Sequence, residues 1–361
     1  MIQVYQIKRS KLPRKRGNIK LTKKAALIRG DGTGPELVEA MLKVFEASKP
    51  SIDLIQCEAG LDWWEKHGGN TFISAETWQI LENADACFKA PTTTPAGPGK
   101  PKSVAVSIRQ KFDLYANVRP IKTFPNTKRP LGNVDFVCVR EATEGLYTGI
   151  EYRLSDDVAI GIRKITRRSS ERIARYAFKL AEQKGWDSIV AVHKGNICKE
   201  TCGLFMEATE SVAKEFKNIK LLNYFVDNFA QQLVKNPEIF NQKIIVSTNL
   251  FMDILSEEAA GLIGSIGCVY SANFGDNYAM FEPAHGSAPK YKGLNKVNPT
   301  GTILAGAWML DYLGEKEKAE AIFKATESVI AEGKIVTYDL GGSAKTSEMA
   351  EAIAKKVEEI L

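Results

Sequence analysis

The sequence predicts a doubly wound α/β protein, because strand and helix patterns alternate along the whole chain with no internal repeat and no long low-complexity linker. The apolar runs at residues 188–192 and 244–246 have the continuous character of strands covered on both faces, as in a parallel sheet. Residues 170–184, 201–216 and 315–332 instead space their apolar side chains as amphipathic helices do. Two loops rich in Pro and Gly, 90–101 and 283–299, suit the rim of such a sheet, where ligand contacts concentrate.

Taken in order, residues 24–28 read as a strand, followed by the glycine turn Gly30-Asp31-Gly32-Thr33-Gly34 and a helix over 35–47 with Pro35 near its first position. The turn imitates a dinucleotide fingerprint. Its spacing is GxGxG followed by Pro35-Glu36, however, and only an ambiguous Asp53 stands where the acidic residue of that fingerprint belongs. It reads as a tight structural turn in a non-Rossmann protein. The strand at 188–192 runs into His193-Lys194-Gly195-Asn196. The strand at 244–246 leads to Asn249-Leu250-Phe251-Met252-Asp253-Ile254-Leu255-Ser256-Glu257, helical from 252 to 260, which puts Asp253 and Glu257 on one helix face. Paired carboxylates just beyond a parallel strand suggest a hard divalent cation held by oxygen, although this spacing is also ordinary on a solvated helix face.

Composition narrows the class. The 361 residues are 44% hydrophobic and 25% charged, a soluble globular balance whose length suggests two domains or one large α/β unit with a second lobe. No apolar run reaches the roughly 20 residues that span a bilayer, so no membrane partner is expected. The net charge of +6 comes from nine Lys and Arg within residues 1–24; the rest carries 40 basic against 43 acidic residues, a net of −3. Nucleic-acid binding by the body is therefore disfavoured, and the basic N-terminal arm reads as solvated, with Ile2, Val4 and Ile7 suited to a short edge strand. Six scattered cysteines without a CxxC pair fit reduced thiols and a cytoplasmic setting. Cys198 and Cys202, four apart with no nearby histidine, make a poor zinc site, and three dispersed histidines exclude a histidine metal centre.

Arg109, Arg119 and Arg140 are separated by ten and 21 residues, the first two bracketing Phe112-Asp113-Leu114-Tyr115-Ala116-Asn117; guanidinium groups that converge suit a substrate with several carboxylates, whereas separate guanidiniums would make ordinary surface ion pairs. The segments GDGTGPE (30–36), FDLYANVRP (112–120), REATEGLYTG (140–149), HKGNI (193–197), residues 249–257 and EPAHGSAP (282–289) occur in this order. Together they resemble the β-decarboxylating dehydrogenases of isocitrate, isopropylmalate and homoisocitrate, over nearly all of residues 24–361.

That resemblance implies a large and a small α/β domain around a shared mixed sheet: residues 25–113 with 265–361 on the cofactor side, and 114–264 as the small domain with a dimer-forming arm near 146–165. It also implies a homodimer with shared active sites, and oxidation of a 2-hydroxy acid by NAD(P) followed by loss of the β-carboxylate, with Mg²⁺ or Mn²⁺ at the new 2-keto oxygen. By motif match, the metal ligands are Asp253 and Glu257 of one subunit and Asp227 of the other, with Glu257 standing where the family usually has Asp. Tyr147 is the acid that protonates the enol carbon, and Lys194, from the partner, takes part in hydroxyl deprotonation. Arg29 replaces the usual Pro before the glycine turn, and Ala142 the usual Asn near Tyr147.

Substrate contacts implied by the resemblance are Lys89, Thr94, Ser103, Arg109, Arg119, Arg140 and Asn196. The Lys89-Ala90-Pro91-Thr92-Thr93-Thr94-Pro95 run and Ser103 resemble isocitrate enzymes, and such polar groups would be left unpaired against an isopropyl tail. Ala105, where isocitrate enzymes carry Asn, keeps homoisocitrate as the alternative. Cofactor contacts implied are Glu282, His285, Gly286, Ala288, Lys290, Tyr291, Val297, Asn298 and Tyr338. Lys290-Tyr291, in place of the Asp-Ile of NAD enzymes, favours NADP over NAD; Asn236 and Gly342 stand where NADP enzymes often carry arginines. A regulatory subunit with a dead site is the non-enzyme alternative, and the retained Tyr147, Lys194, Asp227 and Asp253 weigh against it.

Overall fold

The computed structural model describes residues 22–127 and 131–361, so the edge strand expected at Ile2, Val4 and Ile7 lies outside the described residues. Strand β1 (Lys23–Ile28) begins one residue earlier than its apolar run, because Lys23 and Lys24 extend the ladder while their Nζ and N–H groups reach Asp85 at 2.6 and 3.0 Å. Helix α1 (Gly34–Ser48) follows, with Pro at its start and Lys49 closing it in the left-handed conformation. Strand β2 (Ile52–Cys57), helices α2 (Leu61–His67) and α3 (Ala75–Asn83) and strand β3 (Ala86–Lys89) complete the first lobe of parallel strands. The turn between β1 and α1 is structural, as its spacing predicts: buried Asp31 accepts the backbone N–H groups of Leu61, Asp62 and Thr93 at 2.7–2.9 Å.

Helix α4 (Val104–Lys111) leads to the antiparallel pair β4 (Ala116–Lys122) and β5 (Asp135–Glu141). A small hairpin, β6 (Glu151–Arg153) and β7 (Ala159–Gly161), pairs only with itself among the described strands and exposes Tyr152, Leu154, Val158, Ile160 and Ile162. Then come α5 (Arg167–Lys184), β8 (Ser188–His193), α6 (Lys199–Ala213), β9 (Lys220–Phe225), α7 (Val226–Lys235), β10 (Lys243–Ser247) and α8 (Asn249–Leu262). Three helices start earlier than apolar periodicity alone suggested. In α5 the cause is Thr166, whose hydroxyl accepts the Ser169 N–H; α6 and α8 begin with the polar turns Lys199-Glu200 and Asn249, which carry no apolar signal. The chain returns through β11 (Tyr270–Phe274) and β12 (Ala279–Pro283) and ends in α9 (Thr300–Leu313), α10 (Lys316–Glu332) and α11 (Thr346–Ile360).

Ten strands form one mixed sheet in the order β2-β1-β3-β12-β11-β4-β5-β10-β8-β9. Strands from residues 23–89 and 270–283 fill one half, those from 116–247 the other, and the halves meet at the antiparallel β11–β4 pair. The largely apolar α9, buried along nearly its whole length, packs on the first half, and α5 packs on the second. Both residues at the turns after β5 and β10 therefore emerge beside each other, since these two strands run parallel in register. No helix among the described residues is long and apolar enough to cross a membrane.

Candidate active site

The three arginines converge. Arg109 lies in the last turn of α4, while Arg119 and Arg140 sit on adjacent antiparallel strands β4 and β5; their side chains are only 7%, 8% and 3% exposed. Charges buried this deeply require partners. Arg109 Nε donates to Asn273 Oδ1 at 2.8 Å and its Nη2 to Glu282 at 3.0 Å. Arg119 donates to Asn117 at 3.2 Å, to Ser256 at 3.0 Å and to Glu257, and lies 3.7 Å from Asp253. Arg140 Nε donates to Asn249 at 2.8 Å and its Nη1 to Asp253, while its Nη2 is buried without a partner. Burial, assisted by repulsion from Arg109 and Arg119, pulls Arg140 down to about 10.

Asp253 and Glu257 share the outward face of α8, as their spacing predicts, with side chains 32% and 39% exposed against the buried arginines beneath them. Burial would raise Asp253, but Arg140, the Tyr147 hydroxyl and Arg119 together hold it below the usual carboxylate range. Tyr147 lies in a single 3-10 turn, Leu146–Thr148, with its hydroxyl donating to Asp253 and its ring 4.8 Å from the Arg140 guanidinium. Burial, partly countered by Arg140, raises its phenol, which keeps it protonated and able to donate.

Lys194 and Asp227 lie apart from this cluster. They pair with each other at 2.7 Å, Lys194 past the end of β8 and Asp227 in the first turn of α7, and Lys194 holds the Asp227 carboxyl low. Asn196 is exposed in the same turn as Lys194. Among the described residues, no three ligating side chains gather in one chain. The donor set nonetheless fits a hard cation in its chemistry: Asp253 and Glu257 are carboxylates about a third exposed, here engaged with Arg140, Tyr147 and Arg119, and Arg140 Nη2 beside them is left to donate to an anionic group.

Lys89, at the end of β3, is buried and pairs with Glu282 at 2.9 Å. Burial alone would raise Glu282, but Lys89 and Arg109 hold it far below the usual range. Its carboxylate is thus engaged with two buried cations and Asn273. Ser103 caps α4 by accepting the Val106 N–H at 3.2 Å, which leaves its O–H free to donate, and Thr94 is exposed on the preceding loop. Thr93 ties that loop to the next one through Ser287 Oγ at 2.6 Å.

On the cofactor side, His285 has a buried Nε2 with no partner, and burial lowers its pKa, so it is neutral. Gly286 has open space where a side chain would stand, and Ala288 is left-handed at φ 40°. These features fit a nucleotide lying across the loop. Lys290 lies 5.0 Å from the Tyr291 ring, Lys296 lies 4.8 Å from the Tyr338 ring, and the two rings are 6.3 Å apart. The Tyr338 hydroxyl and the two lysines pull the Tyr291 phenol down. Lys296 was not singled out by the sequence, because it has no motif of its own. Asn298 donates to Asp339 at 2.9 Å, and the Val297 carbonyl accepts Thr346 Oγ1 at 2.6 Å, so both are engaged within the protein. Gly342 cannot carry a side chain, since a Cβ there would collide with the Val336 carbonyl. Asn117, Asn249, Ser256 and Asn273, which satisfy the arginines, were also missed: single amides and hydroxyls give no sequence signal.

A buried arginine triad faces two carboxylates and a tyrosine on a mixed sheet. The family profile for isocitrate/isopropylmalate dehydrogenase matches residues 24–353. A 3-isopropylmalate/3-methylmalate dehydrogenase of Methanocaldococcus jannaschii is 41% identical over 341 residues, covering 93% of this chain and 99% of that protein. An isocitrate/homoisocitrate dehydrogenase of Thermus thermophilus is 42% identical over 337 residues, covering 92% and 98%. The crystal structure of an isocitrate dehydrogenase from Methylococcus capsulatus superposes with a TM-score of 0.89 at 43% identity, covering 93% of this chain and all of that one. The chain belongs to the isocitrate/isopropylmalate dehydrogenase family. Relatives acting on different acids stand at similar identity, so overall likeness does not choose the substrate.

Proposed function

We propose that this chain is an NADP-preferring, metal-dependent isocitrate dehydrogenase working in the cytoplasm as a homodimer with shared active sites. The observation that carries the choice of acid is Lys89: a buried lysine, 4% exposed, that shares Glu282 with Arg109, adds a cation suited to a third carboxylate and unsuited to an apolar tail. Ala105, half-buried two residues after Ser103, supports homoisocitrate as the second reading.

In this reading Arg109, Arg119 and Arg140 bind and orient the substrate carboxylates, with the free Nη2 of Arg140 taking one of them. Asp253 and Glu257 hold the cation with Asp227 of the partner subunit; when bound, Mg²⁺ or Mn²⁺ supplies the electron sink for decarboxylation. Lys194 of the partner subunit takes the hydroxyl proton as hydride leaves for the nicotinamide, and Tyr147 delivers its phenolic proton to the enol carbon after CO₂ departs. The Tyr291, Tyr338, Lys290 and Lys296 cluster receives a 2′-phosphate. Sharing is supported by the pairing of Lys194 with Asp227 away from Asp253, and by the apolar hairpin β6–β7, which suits a second copy of this chain. The buried, unbridged cysteines fit a reducing compartment.

The test is turnover by the purified chain, followed as reduced nicotinamide formed and CO₂ released, before and after chelation. Coupled, metal-dependent release of both supports the reading; hydride transfer without CO₂, or full activity after chelation, overturns it.

A further inference from the structure

One guanidinium joins the parts of the chain that carry the two half-sites. Arg163 lies just past β7, where the chain returns from the exposed hairpin. Its Nη1 donates to Thr201 Oγ1 at 2.6 Å and to Cys202 Sγ at 3.3 Å, both in the first turns of α6. Its Nη2 donates to Thr248 Oγ1 at 3.0 Å, and the guanidinium lies 4.9 Å from the Phe251 ring centroid. Cys202 is fully buried, and its sulfur also accepts the backbone N–H of Lys194 at 3.3 Å. Thr248 occupies the cap of α8, yet its hydroxyl makes no capping bond and is turned to Arg163 instead. Next along the chain, Lys164 pairs with Gly145, two residues before Tyr147.

We infer that Arg163 is a positioning residue that fixes the Lys194 turn and the Asp253 helix in one geometric relationship, so that the two half-sites of a chain respond to each other. The inference rests on the shared-site reading, in which those half-sites serve different active sites of the dimer. A planar guanidinium can reach Thr201, Cys202 and Thr248 at once, whereas a lysine ammonium at the same place is a single point charge. Coupling carried this way is reciprocal: whatever moves α8 is felt at Lys194, and the reverse.

The experiment measures backbone hydrogen exchange in the full-length dimer without substrate, for wild type, Thr248→Val, Arg163→Gln and Arg163→Lys. Thr248→Val should speed exchange near residues 249–253 and also near 194–202. In the Arg163→Gln background the same change should leave 194–202 unaltered. Kinetically, Cys202→Ser and Thr248→Val should combine non-additively in kcat/KM by about threefold or more, and additively once Arg163 is Gln. Arg163→Lys should recover part of the kcat lost in Arg163→Gln. Exchange at 194–202 that ignores Thr248→Val in the wild type overturns the inference, and if Arg163→Gln does not fold, that single comparison still decides it. Since exchange needs no turnover, an inactive chain would defeat the proposed function while leaving this result readable.

Discussion

The Lys89 ammonium sits 2.9 Å from the Glu282 carboxylate, both side chains buried, and Arg109 holds the other carboxylate oxygen at 3.0 Å. One acid on β12 therefore neutralises two cations, one on the neighbouring strand β3 and one on α4. Removing it strands both charges. Glu282→Gln should cost about 3–5 kcal/mol of folding stability in urea unfolding, as breaking a buried ion pair does. A loss below about 1 kcal/mol would show that the pair is not what holds this corner.

The same group sets a pH dependence. Its folded pKa is depressed, so its contribution is present above the unfolded carboxylate value, about 4.3, and is lost as pH falls through and below that region. Unfolding free energy should drop with acidification below about pH 5, and Glu282→Gln should flatten that limb. Identical acid limbs in the two proteins would contradict the assignment.

Asp253→Asn replaces an anionic oxygen ligand by a neutral amide. Mn²⁺ binding followed by calorimetry should weaken at least tenfold, and kcat/KM should fall by orders of magnitude. Unchanged Mn²⁺ affinity would remove Asp253 from the metal site.

Tyr147→Phe should impair overall turnover more than reduction of a preformed 2-keto intermediate, because the phenol acts after hydride transfer. Lys194→Met should cripple both. Mixing the two inactive homodimers should restore activity, since a hybrid regains one intact shared site. No recovery despite demonstrated subunit exchange would rule out sharing.

Lys290→Asp with Tyr291→Ile should reverse the nicotinamide preference, and Lys296→Ala should weaken NADP alone. A charge-assisted phosphate contact is worth about 1.5–3 kcal/mol, roughly one to two decades in affinity. The change should appear in the KM for cofactor, since the phosphate lies far from the hydride. An NAD preference in the wild type would refute this phosphate site.

Much of this architecture was legible in the sequence. Continuous apolar runs located β8 and β10, and the i, i+4 spacing of Asp253 and Glu257 put both on one face of α8, because burial and helical period leave a direct imprint on residue order. Helix starts were less legible where a polar first turn, as in α6, gives no periodic signal. The partners of the arginines were not legible at all. Asn273 reaches Arg109 across 164 residues of chain, a contact that only the fold creates. Glu282 was expected at the cofactor, and nothing local in EPAHGSAP signals that Lys89 and Arg109 would close around it.

The most direct test of the central claim is the ratio of kcat/KM for isocitrate to that for isopropylmalate, measured with NADP and saturating Mg²⁺ on the wild-type dimer. Glu282 keeps the Lys89 ammonium paired, but an isopropyl group beside this buried ion pair cannot accept the hydrogen bonds that a third carboxylate would, so the ratio should exceed about 10³ in favour of isocitrate. A ratio near one, or a preference for isopropylmalate, would contradict the account.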